Sequence, residues 1–236
     1  MLWRVVIIFV WSSMRIVIAG GHGKVALRLT RLLAERGDAV VGIVRNPDHV
    51  DDVRQAGGDA VVLDLERATV DDVAAVLADA DAVVFSAGSG NSATATRRDR
   101  VDAAAPVLLM DAAEQAGVRR FLHVSSINVG CAENPDIGEG YATYLRAKRV
   151  AEQHIMARDS LDWTLLRPGV LTDDPGAGTV QLTIGHPDGS AVVRFDQVSR
   201  DDVAAVLVAL LDRRDTARRA YVLVGGDTPI DQALTS

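Results

Sequence analysis

Along this chain short apolar runs alternate with segments in which apolar positions recur every three or four residues. The runs read as strands buried on both faces, and the periodic segments as helices laid against them. Arg15 to Ala19 is a predicted strand, Lys24 to Arg36 a helix ended by Gly37, and Ala39 to Val44 a second strand. Pro47 to Ala56 continues as a helix stopped by Gly57-Gly58, Ala60 to Leu63 as a strand, Val70 to Leu77 as a helix and Ala82 to Ser86 as a strand. Beyond a loop rich in Gly, Ser and Thr come a helix at Arg100 to Ala116, a strand at Arg119 to Ser125, a helix at Tyr141 to Arg158 and a strand at Trp163 to Arg167. Repeated strand-helix units require right-handed crossovers, hence a parallel sheet covered by helices on both faces.

The last third breaks this rhythm. Thr179 to Ile184 and Ala191 to Phe195 flank His186-Pro187-Asp188-Gly189, a turn sequence that predicts a small hairpin. A helix from Asp201 to Leu211, capped by Ser199, and a strand from Tyr221 to Val224 follow. No linker divides the chain, so residues 14–236 are expected to form one domain, with 171–199 as a small C-terminal substrate lobe.

Composition narrows the function. Apolar residues at 48% and charged residues at 24% fit a globular protein that folds alone. A net charge of −7 disfavours a nucleic-acid partner, which needs a basic stripe. The single cysteine, Cys131, allows neither an intrachain disulfide nor a cysteine-rich metal site, so no metal is expected and a reducing cytoplasmic setting fits. Leu2 to Trp11 is apolar but too short to span a bilayer, and no small-residue cleavage site separates it from the next strand. Met14 stands directly before that strand, so Met1 to Ser13 reads as an extension upstream of the true start, with a membrane-associating tail as the alternative.

The chemistry lies in the loops after the strands. Gly20-Gly21-His22-Gly23-Lys24-Val25-Ala26 joins the first strand to the first helix, where a dinucleotide pyrophosphate meets a helix N-terminus. Gly20 allows the tight turn, Gly23 lets the backbone approach the phosphates and Ala26 lets the helix pack closely on the sheet. Together with the alternation, this loop predicts an α/β fold of the Rossmann type, a doubly wound parallel sheet. Gly21, His22, Lys24 and Val25 are counted with this cofactor-binding loop, His22 as a loop filler more than a catalyst. At the end of the second strand, where an NAD site carries a carboxylate, stands Arg45, whose guanidinium suits the 2′-phosphate of NADP. Asp64 and Leu65 follow the third strand, placed to meet the adenine edge, and Ser86-Ala87-Gly88 follow the fourth, placed beside the riboses.

Tyr144 and Lys148, four apart, share one helix face. A neighbouring ammonium favours the phenolate, which predicts a lowered tyrosine pKa and use as acid or base. Ser126, at the end of the fifth strand, can hydrogen-bond the same substrate oxygen.

From Met14 onward the chain resembles the short-chain dehydrogenase/reductase superfamily, in its atypical NAD(P)H-binding branch related to NmrA-like proteins and sugar-nucleotide epimerases. The resemblance rests on GGHGKVA, VRNPDH with Arg45, VVLDL with Asp64, RFLHVSS with Ser126, YLRAK with Tyr144 and Lys148, TLLRPGVL around Pro168, and SRDDVAAVL. It implies that Ser126, Tyr144 and Lys148 serve hydride transfer, that Lys148 also holds the ribose, and that Pro168 lies beside the nicotinamide. The implied activity is an NADP(H)-dependent oxidoreductase acting on a small carbonyl, alcohol or conjugated substrate, with no nucleic-acid or membrane partner. The lobe is much shorter than in sugar-nucleotide epimerases, which disfavours a nucleotide-sugar. The same branch includes proteins that bind the cofactor and act as sensors or regulators, and that alternative stays open.

Overall fold

The computed structural model describes residues 13–90, 93–189 and 194–235. Its strands in chain order are β1 (Arg15–Ala19), β2 (Ala39–Val44), β3 (Asp59–Val62), β4 (Ala82–Phe85), β5 (Arg120–Val124), β6 (Asp162–Pro168), β7 (Val170–Thr172), β8 (Thr179–Ile184), β9 (Gln197–Ser199), β10 (Arg219–Gly225) and β11 (Thr228–Pro229). The helices are α1 (Lys24–Arg36), α2 (Val50–Gln55), α3 (Val70–Leu77), α4 (Ala95–Arg98), α5 (Ala105–Ala116), α6 (Glu139–Met156), α7 (Arg200–Leu211) and α8 (Ile230–Ala233). Nine strands join in one sheet, in the order β11-β8-β10-β6-β5-β4-β1-β2-β3. From β10 to β3 every pairing is parallel. This is the doubly wound α/β architecture of the Rossmann type that the alternating pattern predicts.

Successive residues of a strand point to opposite faces, and β1 divides its side chains accordingly. Ile16 and Ile18 join Leu29 and Leu33 of α1 and Val203 and Leu207 of α7 in one core. Val17 and Ala19 join Val73 and Leu77 of α3 and Leu109 of α5 in the other. Two apolar faces per strand explain the continuous Val, Ile and Ala runs. Helix starts follow from local chemistry: Thr69 and Asp72 form a reciprocal capping box at α3, and Ser199 caps α7 by accepting the Asp202 N–H at 2.9 Å.

Three expectations need correction. Thr179–Ile184 does not pair with Ala191 to Phe195: it runs antiparallel to β10, inside the main sheet. Ala191 to Val193 lie outside the described residues, and Arg194 to Asp196 are not a strand. The segment expected as a substrate lobe therefore divides, β8 joining the main sheet while β7 and β9 form a separate parallel pair. The helix expected at Arg100 to Ala116 starts earlier, at α4, and passes through a π-helical segment, Asp99–Ala104, before α5. The extra residue per turn shifts the phase of the side chains, which a single helical period cannot register.

The turn at residues 186–189 has a structural duty. Arg167 of β6 is 1% exposed. Its Nε and Nη2 donate to Glu152 of α6 at 3.0 and 2.6 Å, and its Nη1 donates to the His186 carbonyl at 2.6 Å. A buried guanidinium is tolerated only when paired, so this network joins sheet, helix and turn. Replacing Glu152 with Ala strands the charge. Urea unfolding of Glu152→Ala is expected to show a loss of about 3–5 kcal/mol with an unchanged denaturant slope.

Candidate functional site

The turn after β1 is shaped by close backbone approach. Gly20 has φ +81°, and a Cβ there would lie 2.6 Å from the Ala87 Cα. The Gly21 N–H donates to the Ile43 carbonyl at 2.9 Å, and a Cβ at Gly21 would sit 2.6 Å from the Gly42 Cα. Side chains at either position would push the loop off the sheet. Ala19 is in register with Ile43 on one side and Phe85 on the other. The loop thus opens where connections leave β1 in opposite directions, the crevice in which open α/β sheets bind ligands. Helix α1 starts at Gly23 without a side-chain cap or an acidic residue in its first turn. Its first amides are therefore open to an anion, and these residues fit a dinucleotide pyrophosphate.

Beside the loop lies a cavity of about 340 Å³ lined by Gly20, His22, Gly23, Arg45, Asp64, Leu65 and Ser86 to Gly88, among others. The sequence-predicted adenosine residues meet there. Gly21 packs on Gly42 instead of lining it, and Lys24 and Val25 face a second cavity, where the Lys24 ammonium donates to Asp173 at 2.5 Å. His22 stacks on His49 with ring centroids 3.5 Å apart and contacts Asp52 at 2.7 Å, so it braces the wall as a filler does. Asp64 accepts the Glu66 N–H at 3.1 Å, which shapes the turn at the cavity edge. The Arg45 guanidinium pairs with Glu66 at 2.9 Å, and Arg97 reaches the same carboxylate oxygen at 3.7 Å.

The second cavity, about 800 Å³, brings together Ser126, Tyr144 and Lys148. The Lys148 ammonium is 3% exposed. It donates to the Val124 carbonyl at 3.0 Å and pairs with Asp102 at 3.6 Å, lying 5.9 Å from the centre of the Tyr144 ring. Asp102, fully buried on the π-helical segment, also accepts the Ser89 hydroxyl at 2.5 Å. Burial lowers the Lys148 pKa and Asp102 opposes that shift. The expectation for Tyr144 is overturned: burial first, then Asp102 and Tyr141, push its phenol well above the usual tyrosine range, against an opposing pull from Arg98. The Asp102 carboxylate offsets the ammonium that was expected to favour the phenolate. Tyr144 is a phenol that can donate a proton, and at neutral pH it does not serve as a base. Pro168 ends β6 with its carbonyl bonded to the Ile127 N–H at 3.0 Å, and it is Gly169, Val170 and Leu171 that line the cavity.

Sequence reasoning missed Glu66, Arg97, Ser89 and Asp102. The last had a signal: Asp102 stands three residues before Ala105 and seven before Leu109, on the stripe that α5 buries. An acidic residue on a buried stripe demands a partner. The Glu66 and Arg97 contacts join separate loops, which no local pattern reveals.

Comparison with known proteins agrees with this geometry. A family described as NAD(P)H-binding matches residues 20–214. An uncharacterised sugar epimerase of Bacillus subtilis, YhfK, is 34% identical over 94% of this chain and 99% of its own. A Bacillus halodurans structure titled as a candidate NAD-dependent epimerase/dehydratase is 33% identical, with a TM-score of 0.83 over 94% of this chain and 99% of that one. ChuY, an anaerobilin reductase from Escherichia coli O157:H7, is 25% identical with a TM-score of 0.72, covering 90% and 98%. No helix among the described residues is long and apolar enough to cross a membrane.

The buried phenol can be checked by its ultraviolet titration. Of the three tyrosines, Tyr144 is expected to ionise last, so Tyr144→Phe should remove none of the phenolate absorbance that develops below about pH 11. Loss of a third of that absorbance in the variant would mean that Tyr144 ionises normally. The sign for stability follows: with the folded pKa raised above the unfolded one, the contribution is complete below the unfolded value of about 10 and is lost as pH rises from there through the higher folded one.

Proposed function

Because the chain belongs to the NAD(P)H-binding family, we propose that it is an NADP(H)-dependent oxidoreductase acting on a small carbonyl, alcohol or conjugated substrate by hydride transfer. One observation carries this reading: the two cavities share Gly23, Ser86, Ala87 and Gly88. With its adenosine held by the residues of the smaller one, a dinucleotide would be able to reach across the glycine loop toward Ser126 and Tyr144. The nicotinamide, when bound, supplies the hydride. Tyr144 gives its phenol proton to the substrate oxygen, Ser126 orients that oxygen, and Lys148 positions Tyr144 and the ribose. A tyrosine held as a phenol suits the reductive direction, and the reductase title of ChuY supports it. Arg45 supports NADP over NAD, and Arg97 brings a second guanidinium to the same wall. The partner is a small molecule in the cytoplasm, with neither nucleic acid nor membrane involved. The sensor reading has one observation in its favour, because the Lys148 ammonium is spent on Val124 and Asp102.

Tyr144→Phe is expected to lower turnover of NADPH with an accepted aldehyde, ketone or quinone by about 10²–10⁴-fold, with NADPH affinity nearly unchanged. Full rate in that variant sinks the assigned mechanism. Arg45→Asp removes one charge-assisted contact worth about 1.5–3 kcal/mol, so calorimetry should show NADP affinity falling well below its starting value while NAD affinity changes little. Equal loss for both would put Arg45 away from the 2′-phosphate.

A further inference from the structure

The wall of the smaller cavity carries more charge than a single arginine. Three segments bring side chains to one stretch of it: Arg45 directly after β2, Glu66 in the loop after β3 and Arg97 in α4. Both guanidiniums face one atom. Glu66 Oε1 accepts from Arg45 Nη1 at 2.9 Å, and Arg97 Nε lies 3.7 Å from the same oxygen. The second distance is too long for a hydrogen bond. Arg97 Nε is itself buried and has no hydrogen-bond partner among the described residues. A buried donor without an acceptor is costly, and this one belongs to a side chain that lines a cavity.

The anion in place is therefore a poor match for its cations. One carboxylate oxygen stands between two guanidiniums and hydrogen-bonds only one of them. A phosphate group offers three acceptor oxygens, enough to serve Arg45 and the idle Arg97 Nε together. Exposure gives the cations and the anion different access to such a ligand. The Arg45 and Arg97 side chains are 53% and 40% exposed, whereas Glu66 is 16% exposed. A phosphate reaches the cations from the cavity, and the carboxylate it then meets is the least hydrated of the three groups, so their repulsion is weakly screened. The backbone holds that carboxylate in position, because the Glu66 N–H donates to Asp64 Oδ1 at 3.1 Å. Asp64, on the same wall, faces Arg67 at 3.8 Å.

We propose that Glu66 is a specificity-determining residue: its carboxylate is an internal counter-anion that competes with a ligand's phosphate for Arg45 and Arg97. It thereby holds down the preference for a 2′-phosphorylated dinucleotide over the unphosphorylated form. The proposal deepens the NADP(H) reading and rests on it for the place of the adenosine. Arg97 acts for the phosphate and Glu66 against it, which fixes the sign of each substitution.

The test is calorimetric titration of the full chain with adenosine 2′,5′-bisphosphate and with 5′-AMP, which differ only in the 2′-phosphate. Glu66→Gln keeps the size of the side chain and an acceptor for Arg45 while removing the charge. It is expected to raise bisphosphate affinity roughly tenfold and to leave 5′-AMP affinity nearly unchanged. Arg97→Gln should weaken the bisphosphate several-fold, again with little effect on 5′-AMP. A loss or no change of bisphosphate affinity in Glu66→Gln would show that the carboxylate orients the guanidiniums or stands clear of the phosphate. An equal gain for both nucleotides would show a change in the shape of the cavity. Each of these results overturns the proposal and leaves the cofactor reading standing. If neither nucleotide binds the native chain or the variants, the proposal falls together with that reading.

Discussion

The candidate site depends on one buried charge, the ammonium of Lys148. A lone ammonium removed from water costs several kcal/mol even after the protein relaxes, so everything near it is arranged to compensate. The Val124 carbonyl accepts its proton at 3.0 Å and the Asp102 carboxylate stands 3.6 Å away. These groups come from the end of β5 and from the π-helical segment before α5, and Asp102 also holds Ser89 in the loop after β4. One charge on α6 thereby fixes the three segments that flank the space in front of Tyr144. The widened turn is where Asp102 sits, and such local departures from helix geometry recur at functional sites.

That arrangement also decides what the tyrosine can do. An isolated Tyr-Lys pair on one helix face predicts a lowered phenol pKa. Here burial penalises the phenolate first, and the Asp102 carboxylate and Tyr141 raise its pKa further. The surroundings of Tyr144 therefore favour the protonated phenol. In the proposed reduction, such a neutral donor would stabilise a charge that grows on the substrate oxygen only as the reaction proceeds, which is the kind of interaction that accelerates chemistry.

Much of the fold was legible because local rules and tertiary packing agree over residues 15–85. Strands β1, β2 and β4 there are buried over nearly their whole length and read as apolar runs, β3 lies partly exposed at the sheet edge, and α1 and α3 each show their own stripe. The glycine loop was legible for a similar reason: Gly20 and Gly21 are required by contacts with Ala87 and Gly42 in the adjoining segments. Legibility failed where the controlling partner is remote. β8 alternates as a hairpin strand would, and its antiparallel partner is β10, some forty residues on in the chain. Arg45 could be read as a candidate phosphate ligand, but its pairing with Glu66, a contact between separate loops, could not.

Pairing of basic side chains with one carboxylate recurs at the rim of the glycine loop. Asp173 accepts from Lys24 at 2.5 Å and pairs with Arg200 at 3.0 Å and Arg28 at 3.5 Å, much as Glu66 engages Arg45 and Arg97. Both carboxylates are partly open to water, so neither pair carries the desolvation cost of a buried one. Two anions of the chain thus stand beside the first turn of α1 and the cavity wall that carries Arg45, each balancing the cations around it. The binding surface keeps its positive groups oriented without leaving them unpaired, whereas the buried Lys148 has no such freedom. Solvent-open ion pairs around Arg45 and Lys24 and a buried one at Lys148 are two answers to the same electrostatic demand, set apart by access to water.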